Sequence, residues 1–190
     1  MTQKKYELLK NDTVTAPNGK TLYRIKALID FGVVVAGSLG GYIEKEDNLA
    51  HSGNAWVYGN AQVYGDALVS DNALVSYNAQ VYGDARVYGN AQVYGDARVS
   101  YNARVYGNAR VYSKKDLVWF SNVGTEYGTL TVFKTKEGKL FASRGCFKGT
   151  VDKFLAKSAE VHDERIKREY RLLIEVAKSR LLGESYVPTF

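Results

Sequence analysis

The 190-residue sequence is poor in the residues on which most chemistry and most staples depend: it has one cysteine, two histidines, two prolines and one methionine. A lone Cys146 cannot close an intrachain disulfide, so nothing calls for an oxidising compartment and the cytoplasm is the expected location. Two distant histidines, His51 and His162, with that one cysteine make no zinc pattern, and no metal site is expected. No apolar run approaches the roughly eighteen residues of a membrane span, and Met1 to Lys10 lacks the apolar core of a signal peptide. Charge imbalance is also missing where it would matter. The net charge is +6, yet residues 54–113 carry 4 Lys/Arg against 4 Asp/Glu, residues 1–53 carry 7 against 6, and residues 114–190 carry 15 against 10. A neutral middle is a poor match for a phosphate ladder, so nucleic acid is not expected to bind through it.

What the chain does have is one six-residue phrase written ten times without a gap from Asn54 to Ser113: NAWVYG, NAQVYG, DALVSD, NALVSY, NAQVYG, DARVYG, NAQVYG, DARVSY, NARVYG, NARVYS. A period of six fits no 3.6-residue helix and belongs to parallel β-helices. Along Ala-x-Val-Tyr the side chains alternate, so Ala and Val share one face and x and Tyr the other. The small pair must point inward, because rings at every phrase would not fit a narrow tube. Gly-Asn or Gly-Asp then turns each corner, Gly by taking positive φ and Asn or Asp by tolerating it. Three corners close a coil of 18 residues, and ten phrases make about three and a third coils.

The flanks read differently. Thr21 to Phe31 alternates as a strand, and Ala16-Pro-Asn-Gly19 turns it back on the segment around Thr13 to Thr15. Ile43 and Leu49 already stand six apart, which predicts an imperfect first coil covering the open end of the stack. Gly37-Ser-Leu-Gly-Gly41 lacks the Gly-Lys-Ser/Thr ending of a phosphate loop and reads as glycines that let the chain turn. Beyond the repeats, Leu117 to Ser121 reads as a strand, and Thr129 to Thr135 and Lys139 to Ser143 as a hairpin. A helix is predicted from Val151 to Ala159 with Thr150 as N-cap, and a second from Asp163 to Leu182, stopped by Gly183, with an apolar stripe of Ile166, Tyr170, Leu173, Ile174, Ala177 and Leu181. The expected organisation is mainly β: an N-terminal strand and cap segment (1–53), a β-helix (54–113) and a C-terminal α+β domain with a hairpin and two helices (114–190).

The phrase resembles the hexapeptide repeat of left-handed parallel β-helix proteins, a family that includes many acyltransferases, and this resemblance supplies the hand of the coil. Ala36-Gly-Ser-Leu-Gly-Gly-Tyr-Ile43 with Asn48-Leu49 is similar to the opening segment of uncharacterised bacterial and phage repeat proteins. Arg144-Gly-Cys-Phe-Lys-Gly-Thr150, with the helix that follows, resembles the small α+β tail of the same group. The resemblance implies a homotrimer, and a phage or prophage accessory factor in the cytoplasm of a bacterial host cell. Such a factor would engage a host component in an anti-defence role, by binding a protein or by sequestering a small nucleotide between subunits. Self-association also suits the energetics. Burying a valine contributes about 1.5–3 kcal/mol, while ordering each backbone unit costs roughly 1–2 kcal/mol, so the stack must lean on caps, ladder hydrogen bonds and partners.

Stacking at intervals of 18 draws the outer surface. One face carries Trp56, Leu74, Gln92 and Arg110 beside Tyr58, Ser76, Tyr94 and Tyr112. The second carries Gln62, Gln80 and Arg98 beside Tyr64, Tyr82 and Ser100, and the third Leu68, Arg86 and Arg104 beside Ser70, Tyr88 and Tyr106. Rows of tyrosine with arginine suit recognition, since both give large contact area and directed hydrogen bonds. Contact is expected at Tyr88, Tyr94, Tyr106, Arg86, Arg98 and Arg104.

Catalysis is not expected, and neither is a cofactor. The alternative is acyl transfer from an acyl-coenzyme A donor, for which His51 is the sole candidate base. No loop interrupts the ten phrases, and no acid stands at an obvious position to orient that histidine. Cys146 is expected as a packed core thiol, and Arg144, Lys148, Lys134, Lys136 and Lys139 as a solvated basic edge, the alternative being that they line an anion site.

Overall fold

A computed structural model describes residues 3–183. Strands β1 (Tyr6–Thr15), β2 (Thr21–Ala27) and β3 (Leu39–Ile43) precede the repeats. Each phrase then contributes one two-residue strand: β4 (Trp56–Val57), β5 (Gln62–Val63), β6 (Leu68–Val69), β7 (Leu74–Val75), β8 (Gln80–Val81), β9 (Arg86–Val87), β10 (Gln92–Val93), β11 (Arg98–Val99), β12 (Arg104–Val105) and β13 (Arg110–Val111). They stack in parallel as three faces, β4-β7-β10-β13, β5-β8-β11 and β6-β9-β12. Residues 18 apart pair, as in Leu74 with Gln92 and Gln92 with Arg110. Every valine and alanine of the phrases is at most 1% exposed, which fixes the small pair as the interior of a parallel β-solenoid.

The corners depart from expectation in one respect. The last residue of each of the first nine phrases takes the left-handed backbone, and Asp71, Tyr77 and Tyr101 adopt it where glycine is missing. The asparagines do not. Instead Asn54, Asn72, Asn90 and Asn108 form an amide ladder along one edge, the Nδ2 of the first three donating to the Oδ1 below at 3.1, 3.2 and 3.5 Å.

The imperfect first coil is present: Tyr42 and Ile43 pair with Gln62 and Val63, and Leu49 bridges to Val69. Gly40 and Gly41 lie in β3 because a side chain there would collide with the coil below, a Cβ falling 2.6 Å from the Val57 and Ala61 oxygens respectively. The hairpin of β1 and β2 adds antiparallel to β3 and widens the second face. Strand β2 ends at Ala27 rather than at Phe31, since Gly32 in the left-handed region turns the chain and Asp30 accepts the Ala36 N–H. Tyr6 and Phe31 then pack edge-on against Trp56, which is fully buried at the early end of the tube.

The C-terminal sheet runs β14 (Leu117–Val123), β15 (Gly128–Lys134), β16 (Leu140–Arg144) and β17 (Phe147–Thr150), antiparallel throughout, followed by α1 (Val151–Val161) and α2 (Glu164–Leu182). Thr150 and Asp163 cap the two helices, and Gly183 ends the second in the left-handed conformation. Alternation along β15 gives the sheet two jobs. Leu130 and Val132 pack with Ile166, Tyr170 and Ile174 under the helices, while Phe133 joins the core of the solenoid and plugs its late end. Strand β17 was not anticipated, and it displaces one expectation. Gly145, with φ +56°, turns β16 into β17, and this turn leaves Cys146 exposed rather than packed in a core.

Candidate anion-binding cleft on the third face

On the third face Arg86 and Arg104 are register partners in adjacent parallel strands, so their stems lie side by side. Like charges set opposite each other in a sheet are destabilising. The carboxylates of the repeats, Asp66, Asp71, Asp84 and Asp96, sit at corners, and among the described residues neither arginine forms an ion pair. Arg104 is held from three sides. Its N–H donates to Thr131 Oγ1 at 3.2 Å, its carbonyl accepts from Ser143 Oγ at 3.1 Å, and its guanidinium donates to the Gly145 carbonyl at 3.2 Å.

A third cation comes from β17. Lys148 Nζ lies 4.6 Å from the centre of the Tyr88 ring and 5.7 Å from that of Tyr106, bridging two rings that stack at 5.7 Å. With Leu68 and Ser70 these residues line a cleft of about 370 Å³, floored by the third face and walled by the C-terminal domain. Lys148, itself exposed, thus faces this cleft. Of the other basic residues of that expected edge, Arg144 donates to the Val123 carbonyl and faces Glu126 at 3.6 Å and Lys134 faces Asp116 at 3.8 Å, while Lys136 and Lys139 are exposed.

Of the six residues expected to make contact, the structure brings Arg86, Tyr88 and Arg104 together at this cleft. Tyr106 is covered, which corrects its expected place on the contact surface. It is 9% exposed, its hydroxyl donates to the Ala142 carbonyl at 2.9 Å, and its ring meets Phe133 edge-on. Burial pushes its phenol up to about 12, against the opposing Gly149 amide. Tyr94 sits on the first face, edge-on to Tyr112, and Arg98 on the second, so neither reaches the cleft. Sequence reasoning gave Ser70 no role and did not join Lys148 to the third face. Ser70 was detectable as the break in its tyrosine column, whereas Lys148 arrives only because β17 folds back beside the third face.

The alternative base is enclosed in the cap. His51 Nδ1 accepts the Lys5 backbone N–H at 3.1 Å, and Nε2 is buried from solvent, 3.5 Å from Glu46 Oε2. The ring stacks on Tyr6 at 4.4 Å. Glu46 thus stands beside His51, where the sequence showed no obvious acid, but Nδ1 is occupied and Nε2 is shut off from solvent, so neither ring nitrogen is open to a substrate proton. Glu46 is held below the usual carboxylate range by Lys4 first, at 2.6 Å, and by His51. His162 closes α1, with Nδ1 at 3.2 Å from Ser158 Oγ. No group of three or more His, Cys, Asp or Glu among the described residues could hold a metal ion, and no described helix is long and apolar enough to cross a membrane.

The coils are similar to the YdcK Beta solenoid repeat family over residues 61–77, 79–92, 91–102 and 103–114. The likeness agrees with the parallel stacking seen here, and it leaves the N-terminal cap and the C-terminal domain unmatched. No curated protein matches the chain.

Proposed function

We propose that the protein is a non-catalytic binding protein, a left-handed hexapeptide-repeat solenoid whose third face recognises an anionic partner. The observation that carries this reading is the in-register pair Arg86 and Arg104, joined by Lys148 and unneutralised by any described acid. Other phrases place glutamine at the same outward slot, at Gln62, Gln80 and Gln92, so folding does not demand arginine there. A pair that costs stability when empty is offset when an anion lies between its members. The occupied Nδ1 and solvent-shielded Nε2 of His51 weigh against the acyltransferase alternative.

The likeness of the opening segment and tail to phage-type repeat proteins is the ground for the biological setting. There the protein acts as a phage or prophage accessory factor in the bacterial cytoplasm and engages a host component in an anti-defence role. Self-association as a homotrimer belongs to the same reading, and the exposed rings of Tyr77, Tyr101 and Tyr112 are available to it. Light scattering at micromolar concentration is expected to return the trimer mass, and a monomer would remove that part.

Binding itself is tested by exposing immobilised wild type and Arg86→Glu to a bacterial lysate and identifying retained proteins and small molecules by mass spectrometry. At least one component is expected on the wild type and not on the variant, with circular dichroism unchanged. Equal recovery of every component would remove the reading.

A further inference from the structure

We infer that the cleft takes a small molecule carrying a phosphate or diphosphate group beside a flat ring, the anion held by Arg86, Arg104 and Lys148 and the ring laid on Tyr88 beneath Ser70. The inference rests on the reading of the third face as a binding surface and adds the chemical class of its ligand.

The number of cations favours phosphate over carboxylate. A carboxylate offers two oxygens and one charge, which a single guanidinium satisfies. A phosphate monoester carries roughly −1.5 to −2 at neutral pH and three strong acceptor oxygens. Two guanidinium forks on successive coils with one ammonium beside them match that excess charge from several directions. Arg104 is pre-positioned through Thr131, Ser143 and Gly145, while Arg86 is exposed and has no ion-pair partner among the described residues.

The ring subsite follows from the broken column. On the second face Tyr64 and Tyr82 stack at 5.1 Å, and on the third Tyr88 and Tyr106 continue the pattern. Above Tyr88 the next residue in register is Ser70, whose side chain lines the cleft but supplies no ring. A flat ligand ring placed there extends the ladder by one step, with the Leu68 side chain at its edge. Ser70 adds a hydroxyl within the same space.

Size and surroundings exclude a polymer. About 370 Å³ is the scale of a small-molecule site. The corner ridges on either side carry Asp66 and Asp84 on one edge and Asp71 on the other, so a nucleic-acid strand crossing the face would run over carboxylates.

Titration calorimetry on the full chain tests the assignment with four probes: inorganic pyrophosphate, ribose 5-phosphate, adenosine diphosphate and adenosine. The three phosphate-bearing probes are expected to bind and adenosine not to. Adenosine diphosphate should bind more tightly than pyrophosphate, and Arg86→Gln should weaken all three by roughly tenfold or more. Ser70→Tyr, which completes the column, should remove the advantage of adenosine diphosphate while leaving pyrophosphate within about threefold. No binding of phosphate probes to wild type at millimolar concentration, or equal binding to Arg86→Gln, overturns the inference. Equal affinity for adenosine diphosphate and pyrophosphate overturns the ring subsite. If the lysate experiment retains an Arg86-dependent protein while these probes fail, the face binds a protein partner, and only the ligand class is lost.

Discussion

The Lys5 ammonium donates to the Ala55 carbonyl oxygen at 2.9 Å, and there it takes the place of a missing coil. Within the stack each coil donates its N–H groups to the coil below, as Trp56 does to Ala73 and Tyr58 to Val75, so the first coil has carbonyls with nothing above them. Lys5 covers Ala55 and reaches Gly53, and the Asn48 side-chain amide covers Gly65 and Ala67. At the far end the polarity reverses, and Thr131 Oγ1 accepts the Arg104 N–H left over there. The solenoid is closed at both ends by side chains that complete its ladder.

Lys5→Met is therefore expected to cost about 1–3 kcal/mol, because it leaves a buried carbonyl without a donor. Urea denaturation measures it. A cost near zero would mean that water reaches Ala55 and that Lys5 does not cap the coil.

The same lysine predicts how stability varies with pH. Burial lowers its ammonium from the ordinary 10.5 to about 8. Below about pH 8 both states hold the proton, and the full cost of burying the charge is present. Between about 8 and 10.5 the folded state releases its proton first, so the unfolded state binds more protons and stability rises with pH. Tyr106 acts in the opposite sense above about pH 10, since its phenol stays protonated in the fold up to about 12 and stability falls. Urea midpoints across this range should rise and then fall, and Lys5→Met should lose the rise but keep the fall. A rise that persists in Lys5→Met would contradict the account.

Corner positions predict changes of both signs. Gly95 has φ +67° and a Cβ there would run into the Tyr112 carbonyl, so Gly95→Ala is expected to cost about 2 kcal/mol or more. Tyr77 takes the left-handed backbone without glycine, at φ 60°, and its ring is 67% exposed. Tyr77→Gly should stabilise by up to about 1 kcal/mol. Thermal unfolding of the two variants is expected to shift in opposite directions.

The plug at the late end is tested by Phe133→Ala, expected to cost about 3–5 kcal/mol as a buried aromatic is removed from the solenoid core. Tyr106→Phe keeps the stack on Tyr88 and loses only the bond to Ala142, at about 0.5–1.5 kcal/mol. If Phe133→Ala leaves stability unchanged, the sheet does not close the tube.

Much of this fold was legible because the phrase couples two strong signals: a period of six that sets the coil and an alternation that sets the inside. The Ile43 and Leu49 spacing carried the first coil for the same reason, and Thr150 and Gly183 marked helix ends through capping chemistry, while Asp163, expected as the first helical residue, is the N-cap of α2. Strand β1 was legible only at its end, since polar residues occupy both of its faces over most of its length. Strand β17 was hidden by its glycine and lysine. At the site, Arg86, Tyr88 and Arg104 were predictable from register alone, because parallel stacking carries no freedom. Lys148, the burial of Tyr106 and the pairing of His51 with Glu46 depend on how the end segments fold onto the tube, which periodicity does not encode.

The most direct test of the central claim, that Arg86 and Arg104 stand side by side for a ligand rather than for the fold, is the stability of ligand-free Arg86→Gln by urea denaturation at low ionic strength. Removing one of two facing cations is expected to raise stability by about 0.2–1 kcal/mol, with the gain shrinking as salt screens the repulsion. A variant less stable than wild type at low salt would show Arg86 to be a structural contact and would contradict the account.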